Sequence, residues 1–277
     1  MVKGIVFGKG FFGTRIAKEL GYEQIGYEAN PLEIEKLKNY LDLKKPDIVV
    51  NAVGKTGRPN IDWCETHKEE TMLSNVSAAV SLASECSKRG IYFVHLSSGC
   101  IYEGNNNGRG FSEDDEPNFY GSFYSRSKVL AEKSLKEFPG LILRIRMPID
   151  YMPHPRNLID KLKNYPRVIN VQNSISVVPD MIEVIKLLVE KRRQGIYNLV
   201  NPGTISVAEI MGMYQETVDE NHKFEIFSLG ELEKLTNAKR SNCILSIDKL
   251  KDESIELPEI HEAVENCLLE YRRRIEK

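Results

Sequence analysis

Residues 4–15 read Gly-Ile-Val-Phe-Gly-Lys-Gly-Phe-Phe-Gly-Thr-Arg. A short apolar run, Gly4–Phe7, enters a turn with glycine at 8, 10 and 13, and an amphipathic stretch, TRIAKEL, leaves it. A lone GxGxxG pattern is weak. Between a strand and a helix it carries a mechanism. Glycine permits the tight turn and lets backbone N–H groups approach a pyrophosphate at a helix N-terminus. Gly8, Gly10 and Gly13 are therefore predicted to bind a dinucleotide. Glu28 lies 20 positions after Gly8, at the predicted end of a second strand, QIGYE. An acid there accepts a bond from a ribose 2′-hydroxyl and disfavours a 2′-phosphate.

The same alternation continues outward. Apolar runs begin near 47 (DIVVNAVG), 92 (YFVHLSS), 141 (LILRIRM) and 195 (GIYNLV). Helical stretches lie between them: PLEIEKLKNYL, SNVSAAVSLASECSKRG and YSRSKVLAEKSLKEF. Strand and helix in alternation predict an α/β fold, a Rossmann-type doubly wound parallel sheet. Two regions break the rhythm. Residues 104–122 are rich in Gly, Asn and Asp and read as a long loop, of the length used for binding loops and lids. Residues 149–180 carry prolines at 153, 155, 166 and 179 and read as irregular. The expected division is a dinucleotide-binding domain of 1–148 and about 171–200, with a smaller substrate lobe of about 149–170 and 201–277. The Arg272–Arg274 run reads as a solvated helix end.

Composition removes several classes. Thirty-eight basic against 40 acidic residues give a net charge of −2, which argues against a general nucleic-acid binder. No apolar run reaches the ~18 residues of a membrane helix, and no signal peptide is read at the start. The expected compartment is the cytoplasm. Five cysteines at 64, 86, 100, 243 and 267 form no CxxC, so neither a disulfide framework nor a metal site is expected. Cys64, Cys86, Cys243 and Cys267 read as buried apolar fillers, and Trp63 as core packing.

YxxxK occurs twice. Tyr40/Lys44 has neither serine nor glycine loop near it. Tyr124/Lys128 opens a helix and follows a strand ending in Ser97-Ser98. Residues i and i+4 share a helix face, so Lys128 is expected beside the Tyr124 hydroxyl and the cofactor ribose. A nearby ammonium makes a phenol a better acid, so Tyr124 can protonate a carbonyl oxygen as hydride arrives at carbon. Ser98, at the carboxyl end of its strand, is placed to hydrogen-bond the same oxygen.

These residues resemble the extended short-chain dehydrogenase/reductases, and within them the reductases that finish deoxysugar nucleotides. The likeness spans nearly the whole chain. It is closest to the plant-type 3,5-epimerase/4-reductases of UDP-rhamnose synthesis, through TGRPNIDWCETHKEE (56–70), SGCIYE (98–103), PNFYGSFYSRSK (117–128), RIRMPI (144–149), NPG (201–203) and RSN (240–242). Asn51-Ala52-Val53-Gly54 resembles the family's NAxG turn, and Asn75 falls at its helix-four position. The resemblance also sets Phe11, Phe12, Met147 and Pro148 against the cofactor. Ala29-Asn30-Pro31 departs from the basic residues expected of the plant enzymes, so NADPH and NADH both stay open.

Epimerisation needs groups a reductase does not. A C4 ketone acidifies the protons at C3 and C5; a base removes one and an acid returns one from the opposite face. Cys100, two residues past Ser98, matches a catalytic cysteine of the related epimerase-reductases. Lys161 matches their second epimerase residue, and a pocket lysine with a lowered pKa suits the role. His154 is its rival. Arg58, Arg156, Asn157 and Arg240, with Cys100, are the candidate contacts to a sugar nucleotide, arginine being favoured by diphosphate.

The resemblance thus implies a bifunctional enzyme converting UDP-4-keto-6-deoxy-glucose to UDP-L-rhamnose with NADPH or NADH. A separate upstream 4,6-dehydratase would supply the keto-sugar, and the chain would be a homodimer. Two alternatives are a dTDP-4-dehydrorhamnose reductase without epimerase activity and a non-catalytic, NAD(P)-binding regulatory subunit. UDP-, dTDP- and GDP-linked substrates are not told apart by these residues.

Overall fold

The computed structural model describes residues 2–276. The opening segment folds as its pattern requires. β1 (Gly4–Phe7) is wholly buried, and α1 (Phe11–Leu20) starts at Gly10 and ends on Gly21, whose φ of 67° suits a glycine C-cap. β2 (Glu23–Ile25) and β3 (Ile48–Asn51) both pair with β1 in parallel, and β4 (Tyr92–Ser98) pairs in parallel with β3. With β5 (Leu141–Ile145), β6 (Arg167–Ile169), β7 (Gly195–Leu199) and β8 (Glu225–Phe227), two sheets form. The larger has the order β2-β1-β3-β4-β5-β7; β6 and β8 make a parallel pair of their own. Strands β3 and β4 are buried along their whole length and mostly apolar, as expected where helices cover both faces. The order reverses between β1 and β3, and the crevice at the carboxyl ends of such strands is where ligands bind. The fold is the Rossmann-like α/β class expected.

The helices of the first half are α2 (Ile34–Lys44), α3 (Trp63–Thr66), α4 (Lys68–Met72), α5 (Ala78–Lys88) and α6 (Phe123–Leu135). The stretch 74–90 reads as one helix in sequence. It is instead a π-helical turn, Leu73–Ser77, leading into α5. Such wide turns recur at functional sites, and this one carries the buried Asn75.

The chain divides into two compact units. One comprises residues 1–101, 119–144 and 185–197; the other 102–118, 145–184 and 198–277. The first has a core of Ile5, Phe7, Leu37, Leu41, Val49, Leu82 and their neighbours. The second is centred on Ile159, Ile175, Ile205, Ile210, Val264 and Leu268. It contains α7 (Leu158–Leu162), α9 (Val207–Thr217), α10 (Leu229–Leu235), α11 (Asp248–Asp252) and α12 (Ile260–Ile275), while α8 (Val178–Glu190) runs from the second unit into the first. Arg272–Arg274 do form the last turn of α12.

The expectation that 149–180 is irregular is corrected: α7, β6 and the start of α8 all lie there. The prolines occupy permitted places. Pro153 and Pro155 precede α7, Pro166 precedes β6, and Pro179 sits in the first turn of α8, where an N–H has no helical partner anyway.

The long loop is irregular but pinned. Gly104, Asn106, Asn107, Gly108 and Gly110 all take positive φ, which accounts for its Gly/Asn content. Asp115 accepts bonds from the Ser112 N–H (2.7 Å), the Ser112 hydroxyl (2.8 Å) and Asn106 (3.1 Å). Phe111 and Glu113 are buried, and Asn198 donates to the carbonyls of Phe111 and Ser246.

Candidate active site

In the first unit the glycine turn is shaped by close backbone approach. A Cβ on Gly8, whose φ is 107°, would stand 2.8 Å from the Ala52 carbonyl oxygen; one on Gly13 would stand 2.6 Å from the Gly8 oxygen. Gly8 and Gly13 are therefore required by the fold itself. A Cβ on Gly10 would meet nothing within 4 Å. That open cradle at the start of α1 fits a dinucleotide pyrophosphate, with the helix N–H groups facing it. Phe11 and Phe12 are buried in the first turn. Glu28 lies past the end of β2, in a short 3₁₀ turn, Tyr27–Ala29.

The NAxG turn leaves β3 beside it. Asn51 Oδ1 accepts from the Val53 N–H at 2.9 Å, and Asn51 Nδ2 donates to His95 Nδ1 at 3.0 Å. Burial holds that imidazole well below its ordinary pKa, so it stays neutral. Asn75 clamps the next residue: its Oδ1 accepts from the Lys55 N–H at 2.7 Å and its Nδ2 donates to the Lys55 carbonyl at 3.1 Å. The same Nδ2 donates to Ser127 Oγ at 2.9 Å, and Ser127 donates to the Tyr124 carbonyl at 2.7 Å. Asn75 thus ties the turn after β3 to the helix that carries Tyr124 and Lys128. Ala52 is half-buried and Gly54 exposed in that turn.

Helix α6 begins at a genuine cap. Ser122 Oγ accepts from the Ser125 N–H at 3.0 Å, and Glu65 accepts from the Phe123 N–H at 2.6 Å. Tyr124 and Lys128 are both buried. Lys128 Nζ donates to the Leu96 carbonyl at 3.2 Å, and a Cβ on Gly54 would lie 3.7 Å from it. Burial lowers the Lys128 pKa to about 8, opposed by Cys100 and Glu132. The ammonium is therefore held in a dry place beside the NAxG turn.

At the end of β4, Ser98 Oγ accepts from the Cys100 N–H at 3.1 Å. Ser125 donates to the Cys100 carbonyl at 2.6 Å. Cys100 is half-buried, while Cys64, Cys86, Cys243 and Cys267 are buried, and burial pushes the Cys86 thiol up to about 12. A second layer braces the strand end. Glu132, one turn beyond Lys128, accepts from Ser97 Oγ at 3.0 Å and from the buried Arg144 guanidinium at 2.5 and 3.0 Å. Sequence reasoning missed Ser122, Ser125, Ser127, Glu132 and Arg144. Only Ser122 had a legible signal, as a serine directly before a helix.

Several other first-unit residues differ from expectation or carry less. The rejected Tyr40/Lys44 match is indeed occupied elsewhere: both side chains donate to Glu23. Trp63 is not core. It is half-buried, stacked on His67 with ring centroids 4.0 Å apart, with Lys55 Nζ 5.1 Å from its ring. A long charged stem laid over an indole covers it without a hydrophobic core. Arg58 is exposed and precedes a cis proline.

In the second unit, Lys161 is half-buried on α7, and burial, with Arg156 nearby, lowers its pKa. The helix is fixed by Asp160. One carboxylate oxygen accepts from the Tyr271 hydroxyl at 2.7 Å and pairs with Lys163 at 2.8 Å; the other accepts from the His154 N–H at 2.9 Å. His154 Nδ1 accepts from the Arg156 N–H at 3.0 Å. Asn157 is a correction. Its Oδ1 accepts from the N–H groups of Asp150 and Ile159, and its Nδ2 donates to the carbonyls of Asp150 and Met152. Fully buried, it caps α7 and clamps the preceding loop, and has no side-chain atom left for substrate. Arg240 is half-buried and donates to the Ala238 carbonyl at 2.7 Å. Met147, before Pro148, has a φ of 41°, a conformation unbranched side chains adopt at a cost of about 1–3 kcal/mol.

A family model described as RmlD substrate binding domain matches residues 5–273. A bifunctional dTDP-4-dehydrorhamnose 3,5-epimerase/dTDP-4-dehydrorhamnose reductase of Arabidopsis thaliana is 35% identical over 283 residues, 98% of this chain and 94% of its own length. A trifunctional UDP-glucose 4,6-dehydratase/UDP-4-keto-6-deoxy-D-glucose 3,5-epimerase/UDP-4-keto-L-rhamnose-reductase of the same plant is 38% identical over 274 residues. That match takes in 95% of this chain but spans only 41% of the relative. The crystal structure of the UDP-rhamnose synthase of Acanthamoeba polyphaga mimivirus superposes with a TM-score of 0.91 at 31% identity, covering 97% of this chain and 99% of that one. The fold is shared further, at 18% identity and a TM-score of 0.82, with a Bacillus anthracis dTDP-4-dehydrorhamnose reductase solved in complex with NADP; the match covers 98% of this chain and 100% of that one. With the glycine turn, the NAxG turn and the Ser98, Tyr124, Lys128 set in one unit, this chain belongs to the RmlD substrate binding domain family of the extended short-chain dehydrogenase/reductases.

Proposed function

We propose that the chain is a bifunctional 3,5-epimerase/4-reductase of a nucleotide-linked 4-keto-6-deoxy-hexose, taking the UDP-linked sugar to UDP-L-rhamnose. The observation that carries this reading is the half-buried Cys100, joined to the Ser98 and Tyr124 elements by two hydrogen bonds. A reductase alone needs no further acid/base group there; an epimerase does, and a thiol can serve as one. The names of the plant and mimivirus relatives support the same chemistry.

The roles follow from chemistry and placement. Cys100 and Lys161 move the epimerisation protons, one group taking a proton from the carbon beside the C4 ketone and the other returning one from the opposite face. The lowered pKa of Lys161 suits a group that must give and take protons. Ser98 Oγ already accepts a bond, so its own hydrogen remains to hold O4. Tyr124 donates a proton to O4 as C4 is reduced, and Lys128 supports the phenolate left behind. A reduced nicotinamide supplies the hydride when bound. Gly8, Gly10, Gly13, Phe11, Phe12, Glu28, Asn51, Ala52, Gly54, Asn75, Met147 and Pro148 would hold that cofactor. Arg58, Arg156 and Arg240 are the proposed contacts to the nucleotide diphosphate. Reduction comes last, because it removes the ketone that acidifies C3 and C5. A separate 4,6-dehydratase must supply the substrate, and a homodimer is the assembly we expect. Among the described residues no helix is long and apolar enough to cross a membrane.

The test is incubation with UDP-4-keto-6-deoxy-glucose and reduced cofactor in deuterated water, read by NMR and mass spectrometry. Deuterium at C3 and C5 of a rhamnose-configured product is the expected result, lost in Cys100→Ser. Reduction without deuterium would overturn the epimerase. Turnover of only the already epimerised dTDP-linked ketone would assign a reductase acting alone. No turnover of any keto-sugar nucleotide would favour a regulatory subunit.

A further inference from the structure

The outer end of the glycine turn carries a charge arrangement that bears on which cofactor fits. Glu28 stands just past the carboxyl end of β2, the strand next to β1. Its carboxylate accepts from the Gly26 N–H at 2.6 Å, so the backbone donor of this turn is already engaged by an anion. A bond from its own backbone N–H, then Lys9 and the Gly26 N–H, hold its pKa below the ordinary value. Lys9, the residue between Gly8 and Gly10, folds over the turn: a Cβ on Gly26 would meet its stem at 3.0 Å, and its Nζ reaches Glu28 at 3.1 Å. The Lys9 ammonium is thus paired. Residues 26–35 read Gly-Tyr-Glu-Ala-Asn-Pro-Leu-Glu-Ile-Glu, three acids and no lysine or arginine. Asn30 turns inward as well, accepting from the Leu32 N–H at 3.1 Å and donating to Glu33 at 3.4 Å.

A ribose 2′-hydroxyl is a donor and suits a carboxylate acceptor. A 2′-phosphate is an anion that wants arginine, or free N–H groups. We propose that this site is built for the 2′-hydroxyl, so that the chain takes NADH in preference to NADPH, with Glu28 the discriminating group and Lys9 its counter-ion. This rests on the dinucleotide-binding reading above and adds the cofactor choice to it. Because both side chains are more than half exposed, the discrimination is screened by salt.

The experiment is direct titration of the full chain with NADH and with NADPH, by calorimetry and by nicotinamide fluorescence, without substrate. NADH should bind at least about tenfold tighter at low ionic strength, and the gap should narrow as salt is added. Glu28→Gln should tighten NADPH about fivefold or more relative to NADH. Lys9→Ala should leave the order of the two cofactors unchanged. Equal or tighter binding of NADPH by the unaltered chain would overturn the inference, as would a Glu28→Gln ratio that does not move. A Lys9→Ala loss confined to NADPH would also overturn it, making Lys9 a phosphate receptor. These outcomes leave the proposed function standing. Binding of neither cofactor by folded protein would defeat both.

Discussion

Ser125 donates its hydroxyl hydrogen bond to the Cys100 carbonyl across 2.6 Å, joining the first turn of α6 to the end of β4. The bond sets the backbone from which the proposed epimerase thiol and the proposed reductase phenol both project. Ser125→Ala should lower kcat for deuterium incorporation and for reduction together, with KM little changed. Losing this part-buried bond should also cost about 0.5–1.5 kcal/mol in urea unfolding. Ser125→Thr, which keeps the hydroxyl, should recover most of both.

Tyr124→Phe separates the two chemistries. Loss of the acid for O4 should slow reduction by about 100-fold or more, while exchange at C3 and C5 continues in deuterated water. Equal loss of both would show that Tyr124 also serves the epimerisation.

The lowered Lys128 pKa of about 8 sets a pH dependence with a definite sign. As pH rises through about 8 the ammonium loses its proton, Tyr124 becomes a poorer acid, and kcat/KM for reduction should fall. Stability moves the other way. Between about 8 and the ordinary lysine value of 10.5 the unfolded chain binds more protons at this residue, so its contribution to ΔG of unfolding rises with pH. Comparing urea midpoints of wild type and Lys128→Met across that window isolates the term.

The three glycines should behave differently. Gly13→Ala drives a methyl to within 2.6 Å of a backbone oxygen and should destabilise the chain by about 1–3 kcal/mol. Gly10→Ala places its methyl in open space, so the unfolding midpoint should hold while affinity for either nicotinamide nucleotide falls at least about tenfold. Loss of stability in Gly10→Ala would remove the argument that its openness serves a ligand.

Glu132 and Arg144 form a buried pair. Glu132→Gln leaves a guanidinium uncompensated in the core and should cost about 3–5 kcal/mol. Glu132→Met with Arg144→Met should recover much of that loss in thermal unfolding, because two apolar side chains carry no desolvation penalty.

The legible features were those with a local cause. The succession β1, β3, β4 and β5 could be read because each is a largely apolar run between helical stretches. The glycine turn between strand and helix, and the placement of Tyr124 and Lys128 in the first turns of a helix after the strand that ends in Ser98, could be read because these are local patterns. What escaped was set by distant partners. Glu132 and Arg144 look like ordinary surface charges in sequence, and nothing local says that they meet in the core. Asn157 read as a ligand contact because its residue type suits one; its three bonds to the loop before α7, and the one to the Ile159 N–H, depend on a turn that the prolines hide. Residues 149–180 read as irregular for the same reason, since a proline at a helix start looks in sequence like a proline that ends one.

The loop around Arg109 shows how far composition and behaviour part. It is exposed, rich in Gly and Asn, and free of helix or strand, all of which describe a protease-sensitive tip. Yet Gly108 and Gly110 both donate to the Asn105 carbonyl at 3.0 Å, and Gly104 and Phe111 exchange backbone bonds with the segment 242–246. A protease must draw several residues into an extended form before it cuts, and these bonds oppose that. Trypsin, offered Arg109 at the surface, should therefore cleave it slowly in the native chain, and amides here should exchange with solvent at rates more typical of a small sheet than of a tip.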